Sequence, residues 1–160
     1  MHDFSKLVVD WDIGNAGLLT LGELAYLDWH EHCAVTAYLA AGRTEEGHKI
    51  VERLIEEYAA CGVPFYEADI HRLKGELLLA AGAPMMDAED SFRKAIAIAQ
   101  RQQAKSWELR ATLSLVLLLM KQNRRDEARS TLTEIYNWFT EGFDTADLKD
   151  AKALLDELAS

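Results

Sequence analysis

Three residues that end predicted helices recur at almost equal intervals along the chain. Gly42, Gly82 and Asn123 each follow a segment whose apolar residues have helical spacing, and the intervals between them are 40 and 41 residues. Glycine and, after it, asparagine best tolerate the left-handed conformation in which helices commonly end. Repetition at this period is typical of stacked helical hairpins, because one hairpin alone cannot bury its apolar face.

The residues that follow each of these helix-ending positions, called helix stops below, repeat as well. A small residue five places on is followed by apolar residues four and seven positions later. A small residue at this place lets two antiparallel helices approach closely, which supports a true internal repeat. The three sets are Gly47, Val51 and Leu54; Ala88, Phe92 and Ala95, after a loop one residue longer; and Ala128, Leu132 and Ile135.

Composition excludes several other classes of protein. The 160 residues include only 2 prolines and 9 glycines, too few for an all-β fold, which needs a turn signal every ~8–12 residues. A net charge of −10 argues against binding to nucleic acid or to an anionic membrane surface. Residues 1–6 do not resemble a signal peptide, and the longest apolar run, 115–120, is far shorter than the ~20 residues of a membrane span. We therefore expect a soluble, cytoplasmic protein.

Helix stops and apolar stripes define the predicted organisation. Residues 1–20 are predicted to form an N-terminal arm that packs on the first hairpin. Residues 21–160 form the repeat domain, with hairpins over about 21–62, 64–103 and 105–140. The sixth helix is predicted to continue to about Phe139, and a capping helix covers 145–158.

Three segments resemble one group of bacterial proteins. They are ADIHRLKGELLL at 68–79, AKSWELR at 104–110 and, most specifically, WFTEGFDTADLK at 138–149. They resemble tetratricopeptide-type repeats in the C-terminal region of bacterial signal-transduction ATPases, class III adenylate cyclases and LuxR-type regulators. With the periodicity, the resemblance predicts an all-α fold: a right-handed α-solenoid of about three antiparallel helical hairpins plus a C-terminal capping helix. It implies a scaffold that binds protein partners or senses ligands, and none of the catalytic activities of those larger proteins.

Motifs that carry enzyme chemistry are missing from the sequence. There is no glycine-rich phosphate loop and no GxSxG nucleophile motif. The densest set of metal-capable residues, His30-Glu31-His32-Cys33, has no second cluster to complete the roughly four ligands of a zinc site. We therefore predict no enzymatic activity, no metal and no cofactor.

The first helix of each hairpin usually lines the concave side of such a stack. In the register of the helix stops, ten residues are predicted to point inward and to form a partner-binding face. Arg72 and Arg110 are the candidates to clamp a carboxylate of a partner peptide. The alternative is that these side chains only form salt bridges between helices. The ten residues are Trp29, His32, Thr36, Asp69, Arg72, Glu76, Arg110, Leu113, Leu117 and Lys121.

Three functions follow from these patterns. The first is a non-catalytic protein-interaction scaffold with an expected regulatory or signalling role, which binds a protein or peptide. The second, which the resemblance implies, is a small-molecule effector-sensing module of a bacterial regulator. The third is a homo-oligomeric assembly element, because Leu18, Leu19, Leu21, Leu24 and Leu27 leave the N-terminal end of the stack poorly protected and favour a homodimer.

Overall fold

The described part of the chain is entirely helical. The computed structural model describes residues 21–61 and 66–159, with side chains for 29–59 and 66–159. These residues contain no strand, which confirms the all-α prediction for them. The predicted N-terminal arm and the leucines proposed as a self-association surface lie outside the described side chains. The seven helices are α1 (Leu21–Ala40), α2 (Thr44–Cys61), α3 (Glu67–Ala80), α4 (Met85–Arg101), α5 (Lys105–Lys121), α6 (Arg125–Tyr136) and α7 (Ala146–Leu158).

The helix stops adopt the conformation that the sequence predicted. Gly42, Gly82 and Asn123 have φ angles of 70°, 74° and 64°. After α1, the Gly42 N–H bonds to the Leu39 carbonyl at 3.1 Å, and the next N–H reaches back to Tyr38 at 2.9 Å. This pair of bonds is the Schellman motif, and it satisfies carbonyls that the end of a helix leaves without partners.

One helix stop was not predicted by residue type. Gln103 has a φ of 55° after α4, and its N–H bonds to the Gln100 carbonyl at 3.0 Å. The next N–H, that of Ala104, bonds to the Ala99 carbonyl at 2.9 Å. Glutamine carries no left-handed signal in a sequence, so the surrounding turn imposes this conformation.

The sixth helix is shorter than predicted. It ends at Tyr136 rather than near Phe139. Trp138 and Phe139 donate their N–H groups to carbonyls three residues earlier, on Ile135 and Tyr136, each at 3.2 Å. These tighter bonds end the α-helix and turn the two aromatic residues out of its line.

Polar contacts between consecutive helices show how the helices run. Glu31 on α1 accepts from Arg53 on α2 at 2.6 Å, and both lie eleven residues from Gly42. Lys74 on α3 contacts Glu52 on α2 at 2.7 Å. Residues equidistant from a turn meet when two helices run antiparallel.

Helices two places apart also contact one another. α3 packs against α1 and α5, and α7 packs against α5 as well as against its neighbour α6. Within the described residues, no two even-numbered helices approach closely through their backbones. Side chains still link the start of α4 to the start of α6: Glu89 accepts from Arg124 at 2.6 Å, and Arg93 donates to Glu127 at 2.7 Å.

Two apolar clusters form most of the core. One joins α1, α2 and α3, and the larger one joins α4 to α7. A Cβ atom added to Gly47 would lie 2.8 Å from Leu77, so the predicted close approach at this small residue is confirmed. The corresponding Ala88 and Ala128 are fully buried. The fully buried large side chains include Val35, Val51, Leu54, Ile70, Leu73, Phe92, Leu115, Leu119 and Leu132.

Candidate functional site

A buried carboxylate links the first two helices of the predicted binding face. Asp69 on α3 is only 2% exposed, and it hydrogen bonds to His32 on α1 and to Arg72 at 2.5 and 3.1 Å. Burial raises the pKa of Asp69, but the bonds from His32 and Arg72 outweigh it and lower this pKa to about 2. Asp69 is therefore an ionised structural acceptor, and its contacts lie within the protein.

The polar contacts continue from α3 to α5. Arg72 lies 4.0 Å from Glu76, and Glu76 accepts a hydrogen bond of 2.6 Å from the Ser114 hydroxyl. His32, Asp69, Arg72, Glu76 and Ser114 thus form a polar chain across α1, α3 and α5. Four of the five were predicted site residues, and their arrangement matches the alternative in which these groups hold helices together.

Three rings pack beside this polar chain. His32 stacks on Tyr66 with ring centroids 5.3 Å apart, and Trp107 meets both rings at about 6 Å. Tyr66 was not among the predicted site residues. It precedes the first turn of α3, and a lone tyrosine at such a position gives no signal in the sequence.

Arg110 is fixed in place but remains accessible. Its guanidinium lies over the Trp107 ring at 5.1 Å, and its Nε donates to Asp147 at the start of α7 at 2.8 Å. The Arg110 side chain is nevertheless 45% exposed. Two contacts on different elements hold an exposed cation in a defined orientation.

The remaining predicted residues are more open. Trp29 and Leu117 are 49% and 48% exposed, and Thr36 and Lys121 are also exposed. The Thr36 hydroxyl donates to the His32 carbonyl of its own helix. Leu113 is half-buried against the larger core cluster.

A cavity lies at the C-terminal end of the helix array. It has a volume of about 630 Å³ and lies between the start of α5, the α6–α7 connection and the start of α7. Trp138, which is 58% exposed, and Phe139 form an aromatic wall, and Arg110 and Asp147 contribute an ion pair. The predicted sixth helix ran through both aromatic residues, whereas in the structure α6 ends before them.

Comparisons with known proteins add no relative. No family model, curated protein or solved structure matches the chain.

The candidate metal cluster is not assembled. His32 points to Asp69, and Cys33 is exposed. Among the described residues, no three His, Cys, Asp or Glu side chains are grouped so as to hold a metal ion. In the same part of the chain, no helix combines the length and apolar character needed to cross a bilayer.

Two surfaces therefore remain for binding. The first, called the α1–α3–α5 face below, is defined by the exposed predicted residues of α1 and α5, on helices that the polar chain joins through α3: Trp29, Thr36, Arg110, Leu117 and Lys121. The second is the α5–α7 cavity. Each combines exposed apolar surface with a small number of charged groups, which is typical of recognition sites.

Proposed function

We propose that this protein is a non-catalytic interaction scaffold that binds a protein or peptide partner on the α1–α3–α5 face. The observation that carries this proposal is the exposure of Trp29 and Leu117, each about half accessible, on helices that contact one another through α3. Large apolar side chains at the centre of an interface, surrounded by polar groups, supply most of the energy of many protein–protein contacts.

A repeat architecture supports this role. His32 contacts Asp69, Ser114 contacts Glu76, and Arg110 contacts Asp147, at sequence separations of 37, 38 and 37. Near-constant separations are expected when equivalent positions of successive repeats meet. They support the proposed tetratricopeptide-like α-solenoid with α7 as its cap, in which stacked first helices present one continuous surface.

The packing of His32 favours a structural role over a catalytic one. A histidine beside a carboxylate is also the geometry of a general base. Here the ring is stacked on Tyr66, it also meets Trp107, and its side chain is 16% exposed. A ring held in this way is suited to joining α1 to α3.

The test begins with selection of binding peptides from a random phage-displayed library, using the full chain as bait. Enriched peptides are then synthesised, and their affinity is measured by fluorescence polarisation. The double variant Leu117→Asp/Lys121→Glu is expected to weaken binding by at least about tenfold, since it removes an exposed apolar contact and reverses a charge.

The matched control is Met86→Asp/Arg129→Glu, which makes the same kinds of change on α4 and α6. Met86 is 70% exposed and Arg129 is exposed. The control should keep full affinity, and both variants should keep the melting temperature within a few degrees. Failure to enrich any peptide, or equal affinity in the two variants, contradicts the proposal. Arg72 is unsuitable for this test because its loss would leave Asp69 with one partner fewer.

A further inference from the structure

The α5–α7 cavity has the size of a small-molecule site. Its volume of about 630 Å³ lies within the ~300–1,000 Å³ usual for such sites. One wall is apolar: Leu109 and Leu148 are buried, Phe139 is half-buried, and Trp138 is 58% exposed. Exposed indole surface favours an apolar or aromatic ligand, because covering it releases water from a large apolar area.

The outer position of Trp138 is itself held in place. The ammonium of Lys105 lies 5.6 Å from the centroid of the indole ring, and Lys105 is in turn paired with Glu108 at 2.6 Å. Phe139 packs edge-to-face against Trp138 with centroids 5.2 Å apart. The aromatic wall is thus oriented before any ligand binds, which lowers the entropic cost of binding.

The lining of the cavity also carries charges of both signs. The bond between Arg110 and Asp147 uses one of the five N–H donors of the guanidinium and one carboxylate oxygen, Oδ2. The two side chains are 45% and 30% exposed, so further donors and acceptors face solvent. Glu141 adds a second exposed carboxylate to the lining.

This charge pattern restricts the ligand. A simple anion can pair only with Arg110, and a simple cation can pair only with Asp147 or Glu141, so neither one uses charges of both signs. A ligand with an adjacent carboxylate and ammonium pairs with both signs at once, since its carboxylate takes the guanidinium and its ammonium takes a carboxylate. We propose that the α5–α7 cavity binds a free α-amino acid with an apolar or aromatic side chain, which packs on Trp138 and Phe139.

This inference does not depend on the proposed peptide-binding face, although Arg110 borders both surfaces. Titration calorimetry on the full chain with L-phenylalanine is expected to show saturable one-to-one binding. Three analogues each lack one recognised group: 3-phenylpropionate lacks the ammonium, 2-phenylethylamine lacks the carboxylate, and L-alanine lacks the ring. Each should bind at least about tenfold more weakly, the effect of losing one charge-assisted hydrogen bond or one buried ring.

Two variants test the aromatic and the charged parts of the cavity lining. Trp138→Ala and Arg110→Gln should each weaken L-phenylalanine binding at least about tenfold, while Arg129→Gln, which removes an exposed arginine elsewhere, should leave it unchanged. Circular dichroism checks that each variant is folded, and Trp138→Ala keeps the test valid if Arg110→Gln is destabilised.

Three outcomes would overturn the proposal. They are no saturable binding of L-phenylalanine, L-leucine or L-tryptophan up to about 10 mM, equal binding of 3-phenylpropionate and L-phenylalanine, and unchanged affinity in Trp138→Ala. The Leu117→Asp/Lys121→Glu variant should still bind L-phenylalanine. The cavity and the peptide-binding face can therefore fail separately.

Discussion

We expect His71 on α3 to make the stability of the fold depend on pH. It is 3% exposed, and its burial, together with the nearby ammonium groups of Lys94 and Lys74, lowers its pKa from 6.5 to about 4; Glu52 acts weakly in the opposite direction. The pKa of the folded state is thus below that of the unfolded chain. Between the two values the unfolded chain binds more protons, so stability is full above about pH 6.5 and falls as the pH drops toward 4.

The size of the effect follows from the two pKa values. A difference between 6.5 and about 4 corresponds to roughly 3 kcal/mol once the pH is below both, at ~1.36 kcal/mol per pKa unit. More than half of this free-energy change falls between pH 7 and pH 5, where the linkage relation gives a loss of about 2 kcal/mol in the free energy of unfolding. This is a large share of the ~5–15 kcal/mol that stabilises a typical domain.

Urea denaturation at pH 7 and pH 5 measures this loss in the native protein and in His71→Gln. Glutamine keeps a polar side chain without a titrating group, so the variant should lose about 2 kcal/mol less than the native protein between the two pH values. His48→Gln is the matched control, because it also removes a histidine but keeps His71, so the contribution of His71 should persist. If His71→Gln loses as much stability on acidification as the native protein, the burial of His71 does not control this pH dependence.

Three further substitutions test a close helix contact, a left-handed backbone angle and a buried charge. Gly75→Ala adds a Cβ that would lie 2.7 Å from Cδ1 of the fully buried Phe92. Urea denaturation should therefore show a net destabilisation of about 1–2 kcal/mol, although alanine has the better helix propensity. A gain in stability would contradict this steric conflict. Gln103→Gly relieves a φ of 55° and should stabilise the protein by up to about 1 kcal/mol, seen as a higher melting temperature, and a lower one would count against strain there. Asp69→Asn removes the charge that holds His32 and Arg72 and should cost about 3 kcal/mol; a cost below about 1 kcal/mol would show that this link is dispensable.

The sequence predicted the helical part of the fold well because its signals are local. Gly42, Gly82 and Asn123 end helices through a backbone preference of single residues, and each takes a positive φ in the structure. Apolar residues at helical spacing similarly located the core faces of α2, α4 and α6, where the repeated triplets are buried. Gln103 escaped prediction because its positive φ comes from the turn around it rather than from the residue itself.

The candidate surfaces were predicted less completely. The register of the repeats identified Arg72, Asp69 and Arg110, but it did not show that Asp69 is buried, nor that Arg110 pairs with Asp147. The α5–α7 cavity was missed because its aromatic wall depends on where α6 ends. In the structure α6 ends at Tyr136, and residues that follow it line the cavity together with parts of α5 and α7.

Within residues 21–61 and 66–159, the sequence by itself determined the number of helices, most of their ends and the period of the residues that end them, since these depend on residues within a few positions of one another. Only the tertiary structure decided which side chains meet. His32 and Asp69 are 37 residues apart, and Arg110 and Asp147 are equally far apart. Whether such groups face solvent, a partner or each other depends on how two helices are rotated about their axes. The packing of buried apolar residues determines that rotation through the whole domain.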